Sequence, residues 1–466
     1  MRPTRAVRVN RTGLLADTWM MSVPVYRGRF GPKQAERLLW RAGFGPRPGE
    51  ASRLARRGLR AAVRSLTRPK GAPRLRGAAP RDDNGLPLAP GDAWGHDHLW
   101  WLDRMARTDQ PLRERMALVW HDWFATGDVG QGRLNIDQYL LLRRRWLASF
   151  RDLLADVTVD PAMLIWLSGI DNTKWAPNEN YGREMMELFT LGADAGYTEQ
   201  DVREQARALT GWTAEWDEAS GQLVRFHFDP ELHDAGTKTV LGRSGRFDWR
   251  DSCTLCLEHP RHASFLVRKL WSYFIPGEPP GATERALIAL YKRRGHAIRP
   301  LVEAILMHPR LYEGQRLVKP PVVYIAGMLR SRRLPIRGEA LTWVADLCGQ
   351  RLFDPPNVAG WDEERWLDTA SLRGRWIGAA EVAGSDQLDP EAPYDPRDET
   401  PKQAVRRARR FWDSPALSRA TRRELQAFAR SVDGVIGDDW QRETYRALRQ
   451  NALRILIATS PDYQTS

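Results

Sequence analysis

Apolar residues recur at spacings of three and four along most of this chain, the pattern of helices with one buried face. Between 31 and about 66, Leu38, Leu39 and Ala42, then Leu54, Leu59, Ala62 and Val63, mark such a face, and Gly43-Phe44-Gly45-Pro46 parts two helices. Asp109-Gln110-Pro111 opens a helix with Leu112, Met116, Val119, Trp120 and Trp123 on one side. Residues 69–92, rich in Pro, Gly and Arg, predict a mobile surface loop. The pattern changes after 211: residues 212–216, 223–228 and 237–241 are short and alternating or β-branched, which predicts a small antiparallel sheet. Helical spacing returns from 251. The expected fold is therefore mainly α. One large multi-helix domain spans 31–383, with an antiparallel β insertion near 212–249 and a flexible basic tail at 1–30. A linker at 384–401 leads to C-terminal helices, 402–466, that pack on the main domain.

The most concentrated chemistry lies at 177–192. Pro177 suits a first helical turn and Gly192 a stop. On a 3.6-residue helix Asn180, Arg183, Glu184 and Glu187 share one stripe, with Tyr181, Met185, Leu188 and Phe189 around the rest. Two carboxylates one turn apart beside a guanidinium suit a hard cation or an acid/base pair. Glu184 and Glu187 are the candidate acid/base groups or ligands, Arg183 an anion clamp, and Asn178 and Asn180 further substrate contacts. The competing reading is that Arg183 neutralises Glu187 and the stripe is structural.

Elsewhere, His121 and Asp122 on the 111–123 segment are candidates to complete such a site, with His121 as a proton carrier. A divalent metal, if bound, would fall to Glu184, Glu187, His121 and Asp122. His233 and Asp234 suit general-base chemistry and Lys238 anion binding, against a turn that Asp234 caps ahead of Gly236. Asn357 and Trp361 follow Pro355-Pro356, which forces an extended approach, and are candidates for one pocket wall. Cys253, Cys256, His259 and His262 resemble a zinc set, but the two pairs lie too close together and packing explains them better.

Composition narrows the classes only a little. Of 71 basic residues 63 are arginine, and the formal charge is +13, which permits acidic partners without specifying one. Three cysteines argue against a disulfide framework. No apolar run is long enough for a bilayer crossing, and no sequence-specific nucleic-acid motif occurs. Arg2, Arg5 and Arg8 precede a short apolar stretch interrupted by Asp17, with no small-residue cleavage site, so the expected location is cytoplasmic.

Several segments together resemble the domain-of-unknown-function 1800 family of bacterial proteins. They include Leu38-Leu39-Trp40-Arg41-Ala42-Gly43-Phe44-Gly45, Trp120-His121-Asp122-Trp123-Phe124 and the 177–192 stretch with Gly196-Tyr197-Thr198. His233-Asp234-Ala235-Gly236-Thr237-Lys238, Arg268-Lys269-Leu270-Trp271, Leu352-Phe353-Asp354-Pro355-Pro356-Asn357-Val358-Ala359-Gly360-Trp361 and Ser460-Pro461-Asp462-Tyr463-Gln464 follow in order. The resemblance implies no established activity. It implies frequent export of members and, as a partner, a neighbour-encoded protein related to alkaline phosphatases. Trp123 stands where many relatives carry a second histidine, which disfavours a two-histidine metal motif. The leading expectation is an enzyme with a buried carboxylate/histidine site, hydrolytic or lyase-like and metal-assisted if a metal binds, acting on an anionic or sugar-like substrate. The alternative is a non-catalytic scaffold that holds an acidic partner or glycan through Arg and Trp surfaces.

Overall fold

The computed structural model describes residues 22–395 and 399–466. The basic start and the apolar stretch after it, through Met21, lie outside the described residues, as does 396–398 within the expected linker. Among the described residues there are twenty-two α-helices and two two-stranded antiparallel sheets. The chain is mainly α with a small β insertion.

Local sequence starts these helices in two recurrent ways. Proline opens several, including Pro32–Arg41, Pro111–Trp123, Pro321–Arg332 and Pro401–Phe411, where its missing N–H costs nothing. Side-chain caps open others: Thr198 and Asp201 form a capping box on Glu199–Ala208. In the β insertion Trp212–Trp216 pairs with Leu223–Phe228, Trp212 opposite Phe228, and Lys238–Val240 pairs with Arg243–Gly245.

Two apolar clusters form the core. One gathers Leu38, Met116, Trp120, Phe189, Leu270 and their neighbours; the other joins Trp101, Leu118, Tyr324, Phe353 and Trp361 to Leu453, Ile457 and Tyr463 of the C-terminal helices. Helix Pro111–Trp123 runs between them. Met116 and Trp120 face the first cluster and Ala117 and Leu118 the second, so it is covered all round. The C-terminal segment is thus built into the second cluster, closed by a bridge between Val318 and Thr465. Within 384–401, Tyr394 and Glu399 are buried, and Glu399 accepts hydrogen bonds from the Tyr394 hydroxyl (2.7 Å) and Arg449 (2.9 Å).

Some of the arginine excess is internal. Arg330 donates to the carbonyls of Gly45 (3.0 Å) and Thr108 (2.8 Å), and Arg375 to those of Trp366 (2.9 Å) and Lys319 (2.8 Å). A guanidinium with five donors satisfies chain carbonyls that no helix or sheet reaches. Among the described residues no helix is long and apolar enough to cross a membrane.

Candidate functional site

The 177–192 stretch does not form one α-helix. Asn178 caps Glu179–Glu184 by accepting from the Asn180 N–H (2.9 Å), and the chain then widens into a π-helix, Met185–Leu191, ended by Gly192 at φ +91°. The change of period breaks the expected stripe. Arg183 pairs with Glu199 (2.6 Å) and Glu179 (3.1 Å) rather than with Glu187. These partners hold its guanidinium above the usual arginine range, the Glu199 hydrogen bond contributing most. Glu184 is half-buried, and burial, then the Glu187 charge, push its carboxyl up against the pull of Arg183. Asn180 is exposed.

His121 lies elsewhere. It is buried between Trp101, Phe353 and Trp361, with ring centres 5.3, 5.7 and 5.4 Å away. The Phe353 N–H donates to its Nε2 at 3.3 Å. Burial drives its pKa down to about 3, so the ring is neutral at ordinary pH. His233 is held by Thr210, whose carbonyl and hydroxyl lie 3.0 and 3.1 Å from its Nδ1. Among the described residues no hydrogen bond, ion pair or ring contact joins Glu184 or Glu187 to either histidine. No group of three or more His, Cys, Asp or Glu among them is placed to hold a metal ion. Glu184, Glu187, His121 and Asp122 form no such group: His121 is enclosed by aromatic rings, and Asp122 is taken by Tyr273 and Trp361.

The His233 loop is a closed turn. Asp234 accepts from the Gly236 N–H (2.8 Å) and from Arg207 (2.7 Å). Burial opposes ionisation of Asp234, but Arg207 and the Gly236 amide outweigh it and hold its pKa low. Lys238 is buried and donates to the carbonyls of Asp234 and Gly236, so its ammonium braces this loop. Burial lowers its pKa. Cys253 and Cys256 are buried, and His262 lies within hydrogen-bond distance of the Thr190 carbonyl (3.0 Å) and the Tyr291 hydroxyl (2.9 Å). That is the packing role expected of them.

What the fold does bring together centres on Asp122. Its Oδ2 accepts from the Tyr273 hydroxyl at 2.6 Å and its Oδ1 from the Trp361 N–H at 2.9 Å. Asn357 is exposed and turns this loop by accepting from the Ala359 N–H (2.9 Å). Gly360, at φ +95°, passes so close that an added Cβ would sit 2.4 Å from Asp122 Oδ1. Only glycine meets both demands. Lys269 donates to the Leu188 carbonyl of the π-helix (3.0 Å) and lies 4.7 Å over the Trp123 ring, while Trp123 Nε1 donates to Phe189 O (3.0 Å). The 352–361 segment thus meets Asp122 directly, while Lys269 and Trp123 tie the 177–192 stretch to the same helix.

A cavity of about 20 Å³, room for about one water, opens beside it. Arg115, Leu118, Val119 and Asp122 line one side, and Tyr273, Glu363 and Trp366 the other. Burial pushes the Asp122 carboxyl up, opposed by the Tyr273 hydroxyl, the Trp361 amide, Lys269 and Arg115. Glu363 is exposed as a residue, yet the protein around its carboxyl and the Asp122 charge push it up to about 7, against Arg115. Its access to water argues for a smaller displacement than that, in the same direction. Burial brings Lys269 down to about 8 and Arg115 to about 10. Arg115 Nε is buried with no hydrogen-bond partner, which fits a water or small anion in the hollow.

Sequence reasoning missed Arg115, Lys269, Tyr273 and Glu363 as site residues. One signal existed: 115, 118, 119 and 122 have the i, i+3, i+4, i+7 spacing of a single helix face. Glu363 and Tyr273 come from distant segments and carried none. No curated protein and no solved structure matches this chain. A family model described as "Protein of unknown function (DUF1800)" matches residues 37–465, nearly the whole length, and the chain belongs to that family.

Proposed function

We propose that this protein is an acid–base enzyme, hydrolytic or lyase-like, whose working groups are Asp122 and Glu363, acting on an anionic or sugar-like substrate. The observation that carries the reading is a pair of carboxylates, both raised, sharing a water-sized hollow with an unpaired buried guanidinium N–H. A carboxyl raised toward neutrality holds its proton longer than an ordinary glutamate, which suits Glu363 to a general acid. Asp122, held by two donors, is the base that orients a water, and Arg115 steadies developing negative charge. His121, neutral and enclosed by aromatic rings, sets the position of the 352–361 wall through Phe353. Glu184 and Glu187 remain candidate acid/base groups or ligands of a separate, half-exposed face. Residues 350–366 must shift to admit anything larger than water.

The test is a panel of chromogenic esters and glycosides, with Asp122→Asn and Glu363→Gln beside wild type. Turnover lost in both, with unfolding midpoints retained, supports the reading; turnover unchanged in both overturns it. Misfolding of both variants marks the cluster as structural.

A non-catalytic binding role is favoured by one surface. Trp94 and Trp343 are 49% and 57% exposed with ring centres 4.5 Å apart, and Arg351 lies 4.5 Å over Trp94. Paired exposed indoles under a guanidinium suit a glycan or an acidic partner.

A further inference from the structure

A second hollow, of about 280 Å³, shares no lining residue with the one at Asp122 and is walled by six arginines. No described acidic residue lies in its wall. The six cations divide into two groups of three. Arg330, Arg47 and Arg107 hold the fold. Arg330 is 1% exposed, bonded to the Gly45 and Thr108 carbonyls and 3.3 Å from Glu50. Arg47 donates to the Thr108 carbonyl (2.9 Å), and Arg107 pairs with Asp103 (2.7 Å).

The other three, Arg53, Arg76 and Arg333, are free to take a ligand. Arg53 makes one long bond, to the Pro48 carbonyl (3.3 Å). The side chains of Arg76 and Arg333 make no hydrogen bond or ion pair with any described residue. Asp413 feels both Arg53 and Arg333 but stands outside the wall, accepts from the Gly49 N–H (3.1 Å) and pairs with neither. All three backbones are nevertheless set. Arg53 is on helix Glu50–Ala55, and the Arg76 N–H donates to the Arg107 carbonyl (2.9 Å) beside a bridge between Leu75 and Thr108. Arg333 ends helix Pro321–Arg332 in the left-handed conformation, φ +57°.

We propose that this hollow binds a small phosphate monoester, its phosphoryl group on Arg53, Arg76 and Arg333 and its carbon body against Leu329, Leu334 and Pro335. A phosphoryl dianion offers three terminal oxygens to three guanidiniums, whose planar forks match it and stay charged at any working pH. A monocarboxylate leaves at least one of the three without a partner. Arg330 and Arg47 add to the attraction without touching the ligand, because bonds to carbonyls satisfy donors and leave the charge in place. The crowding shows at Arg47: burial, then Arg330, lower it to about 9, with Arg76 adding to them against Glu50 and Asp109. The apolar strip is what calls for an ester rather than a bare inorganic ion. The volume, at the lower end of the ~300–1,000 Å³ of small-molecule sites, suits a metabolite-sized body rather than a polymer.

The test is isothermal titration of the full chain with phenyl phosphate at fixed ionic strength, with inorganic phosphate, pyrophosphate and benzoate as comparison ligands. The expected result is one site per chain, with phenyl phosphate bound tighter than phosphate or pyrophosphate and benzoate not bound saturably. Arg76→Gln and Arg333→Gln combined should weaken it by more than about tenfold with the unfolding midpoint retained. Arg422→Gln, at an exposed position on another helix, should leave it unchanged. Absence of saturable binding, or equal weakening in Arg422→Gln, overturns the proposal and leaves the six arginines as solvated or structural groups. Pyrophosphate or phosphate bound as tightly as phenyl phosphate refutes the monoester class. Should the double variant misfold, Arg53→Gln decides: a several-fold weakening supports the site, and an unchanged affinity overturns it.

Discussion

The Glu184–Glu187 face and the Asp122 hollow hold similar side chains in opposite settings. On the first, acidic groups one turn apart stand on a half-exposed surface, and the nearby guanidinium is taken by Glu199 and Glu179. At the second, carboxylates 241 positions apart in the chain, Asp122 and Glu363, are pressed against one cavity with Arg115. Density of ionisable residues along the chain marks the first; a shared hollow with a buried guanidinium in its wall marks the second. Enclosure is what changes chemistry, because desolvation shifts proton affinity far more than a surface neighbour does.

The comparison breaks most sharply at Gly360. Replacing it with alanine puts a Cβ against Asp122 at a left-handed φ, and a loss of about 2–4 kcal/mol in urea unfolding is expected. A loss below 0.5 kcal/mol would mean that the loop does not press on Asp122 as described. Next comes Asp122→Asn, which exchanges one acceptor for a donor facing the Tyr273 hydroxyl or the Trp361 N–H. It should cost about 1–3 kcal/mol, whereas Glu187→Gln should cost no more than about 0.5 kcal/mol. Equal costs would erase the distinction between the two regions.

Proton linkage sharpens the contrast. Glu363 has a folded pKa of about 7 against an ordinary 4.5. Between these values the folded state binds more protons than the unfolded one. The Glu363 contribution is therefore complete below about 4.5 and fades as pH rises toward 7. Subtracting the Glu363→Gln unfolding curve from wild type should leave a downward slope across that window, reduced by the exposure of the side chain. A flat difference would place Glu363 in ordinary solvent. His121 runs the other way: its pKa of about 3 lies below the free value of 6.5, so its contribution is lost as pH falls from 6.5 toward 3. Its ring signals in NMR should not titrate between pH 8 and 5. Titration in that range would restore His121 as a proton carrier. Arg183→Ala should also cost little, no more than about 1 kcal/mol, since its ion pairs lie at the surface.

Much of the fold was legible because it rests on local signals. Pro111 and the alternation at 212–216 each act within a few residues. The 177–192 stretch misled because helical projection assumes a constant period, and the π-helix from Met185 to Leu191 changes it. The sequence shows one apolar face on the His121 helix; a second core covers the other. Asp122 was named only as a possible ligand. Its role depends on Tyr273 and Trp361, at separations of 151 and 239 residues, and no spacing rule reaches that far.

The two-carboxylate claim is tested most directly by a carboxyl-carbon NMR titration of Glu363 in wild type and in Asp122→Asn. In wild type Glu363 should titrate above its ordinary 4.5, and removing the Asp122 charge should move it down, short of the ordinary value because burial remains. Titration near 4.5 in both proteins would contradict the coupling on which the proposed chemistry stands.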